Sequence, residues 1–173
     1  MLLAAIFVIF PFCMAFAAVS DLLSMTIANR VSLMLVAAFV VLAPLTGMDW
    51  QVFAMHFAAM ATVLAVTFTL FAIGGMGGGD AKLMAATALW MGFGFTLVEY
   101  LVFSAMYGGL LTVLIVVFRN SPVSSLAINN VLLRNLAERK TGIPYGIALG
   151  IGGLTVFPHS PLMVWALAQF ASG

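Results

Sequence analysis

The stretch GGMGGGDAKL, residues 74–83, decides how the rest of the chain is interpreted. Five glycines in six positions lead directly into Asp80, in a chain of 173 residues of which only 6% are charged. Glycine removes side-chain bulk, permits positive φ and lets another backbone approach closely. The stretch therefore indicates either a flexible hinge between helices, with Asp80 marking the water boundary, or a site built around that carboxylate.

The composition of the chain is typical of a protein embedded in a lipid bilayer. Hydrophobic residues make up 65% of it and the mean hydropathy is +1.24, an excess that one small soluble domain cannot bury. With a net charge of +1 and no dense basic patch, no nucleic-acid partner is expected. A single cysteine, Cys13, excludes an intramolecular disulfide framework and a multi-cysteine zinc site, so neither a metal nor a cofactor is expected.

Apolar runs near the roughly 20 residues that a spanning helix needs predict an all-α membrane protein with about six transmembrane helices. The first run contains a signal-like Ala-Phe-Ala at residues 15–17, but it lacks a basic start and stays apolar up to Asp21, so we interpret it as a spanning helix. No repeat or low-complexity linker divides residues 1–173, which we treat as one integral-membrane domain. The runs are 2–20, 31–45, 52–73, 83–94, 96–118 and 144–157, with a short tail at 161–170.

The basic residues predict the orientation of the chain. All of them follow the first, third or fifth span, whereas the loops after spans two and four carry only Asp49 and Glu99. By the positive-inside rule, both termini lie outside and the odd-numbered loops lie in the cytoplasm. The basic residues are Arg30, Lys82, Arg119, Arg134, Arg139 and Lys140.

Asp21 follows the first predicted span and Asp80 the third, so both acids are expected at the same cytoplasmic membrane face. At that depth a carboxylate is partly desolvated, which disfavours its charged form. If the two acids meet, their repulsion resists double ionisation and one proton is shared. One carboxylate can then take a proton from water while the other polarises a carbonyl group, as in aspartic proteases.

Three segments resemble motifs of the type IV prepilin peptidases, polytopic aspartic proteases of the GxGD class. GGMGGGDAKL is similar to their G-x-G-D-x-K-L motif. SDLLSMTIANRVSL, residues 20–33, resembles a motif in which an aspartate ends the first helix and I-P-N follows, with Ala28 here in place of the proline. GIPYGIALGIGGL, residues 142–154, is similar to an I-P-Y-G-x-A motif. The matching positions are Asp21, Ile27, Asn29, Gly77, Gly79, Asp80, Lys82, Leu83, Ile143, Pro144, Tyr145, Gly146 and Ala148.

The resemblance implies an endopeptidase that removes the leader from type IV prepilins at the cytoplasmic face of a bacterial inner membrane. Asp21 and Asp80 would be catalytic, and a second set of residues would bind substrate or support the acids. The loss of the proline at Ala28 is expected to loosen the turn after Asp21. The supporting residues are Gly77, Gly79, Lys82, Asn29 and Tyr145.

Larger members of that family carry a cysteine-rich cytoplasmic insertion and methylate the new N-terminus of the product. This chain has no room for such an insertion, so it resembles the short form found in Flp (tight-adherence) pilus systems, and methylation is not expected.

Several features have simpler interpretations. Lys82 also fits a topology and headgroup anchor, and His56 fits a buried, hydrogen-bonded group inside the third span. The segment 119–140 has a rough amphipathic pattern, which favours a helix on the cytoplasmic leaflet, although it could also gate the site. A small transporter, in which acids lie near the midplane, and a noncatalytic assembly subunit remain as alternative functions.

The orientation can be tested by placing single cysteines at Thr46 and at Ser125 in a background without Cys13. A membrane-impermeant thiol reagent is expected to label position 46 from outside and position 125 from inside, because of the distribution of Lys and Arg. The reverse pattern would move both acids to the outer face.

Overall fold

The computed structural model describes residues 1–122, 124, 134–138 and 142–172. Every regular element in those ranges is helical, which confirms the predicted all-α class for the described part of the chain. A short 3-10 turn, Phe157–His159, joins the last two helices. The helices are α1 (Leu2–Ser24), α2 (Asn29–Leu45), α3 (Trp50–Ala72), α4 (Gly78–Met91), α5 (Phe95–Arg119), α6 (Arg134–Ala137), α7 (Tyr145–Val156) and α8 (Pro161–Ser172).

Three of the described helices, α1, α3 and α5, are long and apolar enough to cross a membrane. Helices α7 and α8 make at most a fourth span, which is bent by 47°. Helix α2 is apolar but has 17 residues, and α4 has 14. At 1.5 Å per residue, α4 rises roughly 21 Å, against a hydrocarbon core about 30 Å thick. These helices identify a membrane protein, whereas six spans and two outer termini are not confirmed.

Helix α4 forms the core of the bundle. It packs against α3, α2 and α7, and every residue from Ala85 to Met91 is buried. An apolar helix without a polar face needs such an environment, because no side of it is suited to water. The indole Nε1–H of Trp90 donates a hydrogen bond of 3.0 Å to the carbonyl oxygen of Leu35, which fixes α4 against α2. The first turn of α4, which carries Asp80, is therefore anchored by a closely packed helix.

His56 belongs to this core. It is 2% exposed, and its Nδ1 atom lies 2.6 Å from the carbonyl oxygen of Leu89. The imidazole packs on Gly92, which has a positive φ of 70° and where a Cβ atom would lie 2.7 Å from the ring. This confirms the interpretation of His56 as a buried, hydrogen-bonded residue that joins α3 to the end of α4.

Helix α6 connects the ends of α5 and α1. The guanidinium group of Arg119 donates to the carbonyl oxygens of Leu136 at 2.9 Å and Gly142 at 2.8 Å. The amide of Asn135 donates to the carbonyl oxygen of Leu23 at 2.8 Å, at the C-terminal end of α1. Residues 123, 125–133 and 139–140 of the predicted amphipathic segment lie outside the described residues, so the prediction that this segment lies on the membrane surface stays a prediction.

Candidate active site

Asp21 lies in the last turn of α1 and is 5% exposed. The helix ends at Ser24, where Met25 adopts a left-handed conformation (φ 53°) and returns its N–H to the carbonyl oxygen of Asp21 at 2.8 Å. The Asp21 carboxylate accepts a hydrogen bond of 2.7 Å from the backbone N–H of Gly146. Gly146 is the second residue of α7, where backbone N–H groups have no partner within the helix. Asp21 therefore joins α1 to α7.

Gly146 fits against Asp21 because it has no side chain. A Cβ atom there would lie 2.9 Å from Cβ and Oδ2 of Asp21 and from Cδ1 of Ile27. The adjacent Tyr145, which the sequence analysis placed among the supporting residues, packs its ring on Gly108 of α5. The sequence analysis did not include Gly146 among the site residues, although its position in the Pro-Tyr-Gly motif could have indicated it.

Asp80 is the third residue of α4, and Gly77 is the N-cap. The backbone N–H of Gly77 lies near the carboxylate of Asp80 and favours its charged form, in the position of the donor in a capping box. Gly77 has φ −70° and ψ 141°, which other residues adopt readily, but a Cβ atom there would lie 2.7 Å from Oδ2 of Asp80. Gly77 is therefore needed for space beside the carboxylate.

Gly79 brings the two acid-bearing segments together. A Cβ atom at Gly79 would lie 3.2 Å from Cβ of Ile27 and 3.4 Å from its backbone nitrogen and oxygen. The chain that follows α1 thus crosses closely over the first turn of α4. Within residues 74–79, positive φ is confined to Gly74, at 77°. The close backbone approach expected of the glycine run is made by Ile27 of the chain itself.

Asp21 and Asp80 line one cavity of about 300 Å³. This volume is at the lower end of the roughly 300–1,000 Å³ of ligand sites, and it accommodates several water molecules. The arrangement places the two acids in the wall of one cavity that is large enough for water. The residues that line the cavity are Asp21, Met25, Thr26, Ile27, Gly77, Gly78, Gly79 and Asp80.

The environment of Asp80 disfavours its charged form. Burial, and secondly the negative charge of Asp21, raise the pKa of Asp80 from 3.8 to about 6. The backbone N–H of Gly77 opposes this shift, and the N-terminus of α4 also favours a charged carboxylate. Desolvation and repulsion outweigh both effects, as in paired carboxyl groups that share one proton.

Asp80 and Gly77 also line a second cavity, of about 350 Å³, between α4, α5 and the start of α7. Tyr145 lines this cavity too, so the structure brings it close to one of the two acids. The remaining side chains in the wall are apolar: Met76, Met84, Leu101, Ala105 and Ile143. The carboxyl group of Asp80 therefore stands between a polar cavity shared with Asp21 and an apolar one.

Lys82 and Asn29 lie apart from both acids. They line a groove of about 380 Å³ between α2, α3 and α4, which neither acid lines. The Nζ atom of Lys82 donates to Oδ1 of Asn29 at 3.0 Å, which ties the start of α4 to the start of α2. Ala28, at the proline position of the motif, has φ −64° and ψ 132°, close to the φ of −65° that proline imposes. The turn after Asp21 thus keeps a proline-like shape.

The sequence profile of the Type IV leader peptidase family matches residues 8–119. The matched range contains both acids and the glycine run, and it ends before α7. No curated protein and no solved structure gives a significant match. The chain belongs to the Type IV leader peptidase family, which confirms the resemblance that its motifs suggested.

Replacing Gly146 with alanine is expected to destabilise the protein by about 1–3 kcal/mol, the usual cost of overpacking, because the new Cβ atom would lie 2.9 Å from Asp21. Thermal unfolding of the purified protein in detergent measures the effect. Gly109→Ala is the matched control, since a Cβ atom there would meet no neighbour of the described chain within 4 Å. Equal midpoints for the two variants would contradict the close contact at Gly146.

Asp80→Asn is expected to raise the thermal midpoint at pH 7.5 and to leave it unchanged at pH 4. The pKa of Asp80 rises from 3.8 to about 6 on folding. The native state therefore becomes less stable as the pH increases from about 4 to about 6, and it remains destabilised by the same amount at higher pH. A pKa shift of this size corresponds to an increase of about 1–3 kcal/mol in the free energy of unfolding at pH 7.5 when the carboxylate is replaced by the neutral amide. A lower midpoint for Asp80→Asn at pH 7.5 would contradict the electrostatic cost of the pair.

Proposed function

We propose that this protein is an intramembrane aspartic endopeptidase that removes the leader peptide from type IV prepilins. One observation carries the proposal: Asp21 and Asp80, the acids of the two motifs, line a single cavity although 58 residues separate them in sequence. The Asp21 carboxylate accepts a hydrogen bond from the backbone N–H of Gly146, and the Asp80 carboxylate lies near that of Gly77, so backbone groups favour a defined position of each acid before substrate binds. Membership of the leader peptidase family supports the same reaction class.

The proposed reaction uses the pair with one shared proton. The ionised carboxylate takes a proton from a water molecule in the cavity as the water oxygen attacks the scissile carbonyl carbon. The protonated carboxyl group donates a hydrogen bond to the carbonyl oxygen, where negative charge develops. A proton then moves to the amide nitrogen as the C–N bond breaks, giving a new carboxyl end and a new amino end. The raised pKa of Asp80, about 6, leaves a larger fraction of the pair singly protonated near neutral pH than two ordinary carboxyl groups would have.

We place the site at the cytoplasmic face of a bacterial inner membrane. The support is the distribution of Lys and Arg: Arg30 and Lys82 follow the same predicted spans as the two acids, and the other four basic residues follow the fifth, on the same predicted side. We further propose an Flp-type prepilin as substrate, because the chain resembles the short form of the family and has no cysteine-rich insertion. Methylation of the product is not part of this proposal.

Asp21→Asn and Asp80→Asn are each expected to abolish cleavage of a prepilin between its basic leader and its hydrophobic helix. Each amide leaves one of the two proton-transfer roles unfilled, so activity should fall by at least 10²-fold, the lower range for general acid–base groups. Gel shift of the substrate, with N-terminal sequencing of the product, measures the result.

Glu138→Gln is the matched acid-to-amide control, because Glu138 is exposed in the described structure and neither cavity at Asp80 includes it. It should keep nearly full activity. Full cleavage by either Asp variant, in folded protein, would contradict the two-aspartate mechanism. A noncatalytic assembly subunit or a transporter would then be the better explanation. Cleavage is also expected to survive a chelator, since the proposed chemistry uses carboxyl groups alone.

A further inference from the structure

We propose that the apolar cavity beside Asp80 is the subsite for the first side chain of the substrate's hydrophobic helix, on the carboxyl side of the scissile bond. Ala105 of α5 would then set the size of the side chain that the site accepts. This inference rests on the proposed peptidase function, and it adds where the substrate lies and which residue selects it.

The cavity is built from two facing helix surfaces. Leu101 and Ala105 are one turn apart on α5, and Asp80 and Met84 are one turn apart on α4, so each pair points in the same direction from its helix. The space of about 350 Å³ between them is closed on another side by Ile143, before α7. A cavity within the roughly 300–1,000 Å³ range of ligand sites is large enough for a bulky side chain.

The chemistry of the wall selects an apolar side chain. Burial of a large aliphatic or aromatic side chain is favourable, and the two methionines of the wall, Met76 and Met84, can adapt to different shapes. A lysine or arginine of the basic leader would lose its hydration against a wall whose side chains are apolar apart from Asp80 and Tyr145, and in the proposed reaction the Asp80 carboxyl group is occupied by proton transfer. The apolar cavity therefore suits the hydrophobic helix of the substrate rather than its leader.

Asp80 and Gly77 connect the subsite to the chemistry, because they line both cavities. Neighbouring residues of an extended peptide are about 3.3 Å apart along the chain. A peptide whose scissile carbonyl lies at the Asp21–Asp80 pair thus brings its next side chain to the far side of Asp80, where the apolar cavity begins. The leader remains on the side of the polar cavity.

Ala105 is the position at which the subsite can be changed without touching either acid. It has the smallest side chain among the cavity residues that follow α4. It lies within α5, far in sequence from both acid-bearing segments. A phenylalanine at this position would occupy the space of the incoming side chain. Met106, the next residue, is 61% exposed and lines neither cavity, so Met106→Phe places the same phenylalanine side chain elsewhere on the same helix.

The test measures kcat/KM for three prepilin substrates that differ only in the first residue after the scissile bond, which is Phe, Leu or Ala. The protein with Ala105 should favour Phe and Leu over Ala by about 10–200-fold, the range for filling or leaving empty an apolar pocket. Ala105→Phe should reduce this preference at least tenfold while it keeps cleavage of the Ala substrate. Met106→Phe should leave the preference unchanged.

The outcomes separate this subsite from the proposed function. If the protein and Met106→Phe cleave all substrates and Ala105→Phe keeps the original preference, the subsite is wrong and the peptidase function stands. If Ala105→Phe is folded, by elution profile and thermal midpoint, but cleaves no substrate including the Ala one, a side-chain subsite at Ala105 is also wrong. If the unmodified protein cleaves none of the substrates, the proposed function fails and the subsite fails with it.

Discussion

The poor hydration of two carboxyl groups that line one cavity is the constraint on which this structure depends. Burial and the charge of Asp21 hold the pKa of Asp80 at about 6, so the folded chain must hold together a pair that water would separate. The large buried core around α4 supplies the free energy that offsets this cost. Active sites commonly reduce stability in this way, because the arrangement that performs the chemistry is not the most stable one.

Three glycines make the pairing possible by omitting a Cβ atom. Gly77 and Gly146 each place a backbone N–H on one carboxylate, and Gly79 lets the chain at Ile27 cross the first turn of α4. Backbone donors cannot change rotamer, so they hold the acids more rigidly than long side chains would. The glycine run is thus a packing surface for the acids more than a hinge, since positive φ within residues 74–79 is confined to Gly74.

The sequence was sufficient for the all-α class, for the membrane environment and for the family, because composition and three local motifs carry that information. It could not give the number of spans, since an apolar run looks the same whether lipid or protein covers it. Leu83 and Leu89 of α4 are buried by neighbouring helices, whereas Val40 and Val41 of α2 are exposed. The contact between Gly146 and Asp21 could not be predicted from the sequence either, because it joins positions 125 residues apart and depends on the packing of α7 against α1.

The shortness of α4 has a consequence for how water and lipid are kept apart. A helix of 14 residues is shorter than the hydrocarbon thickness by roughly 9 Å, at 1.5 Å per residue and a core of about 30 Å. In a lipid-facing helix this hydrophobic mismatch would thin or distort the bilayer. Because other helices surround α4, protein rather than lipid covers this short helix, so the bilayer does not have to adapt to its length. Non-helical backbone is tolerated at membrane depth where it is buried in protein.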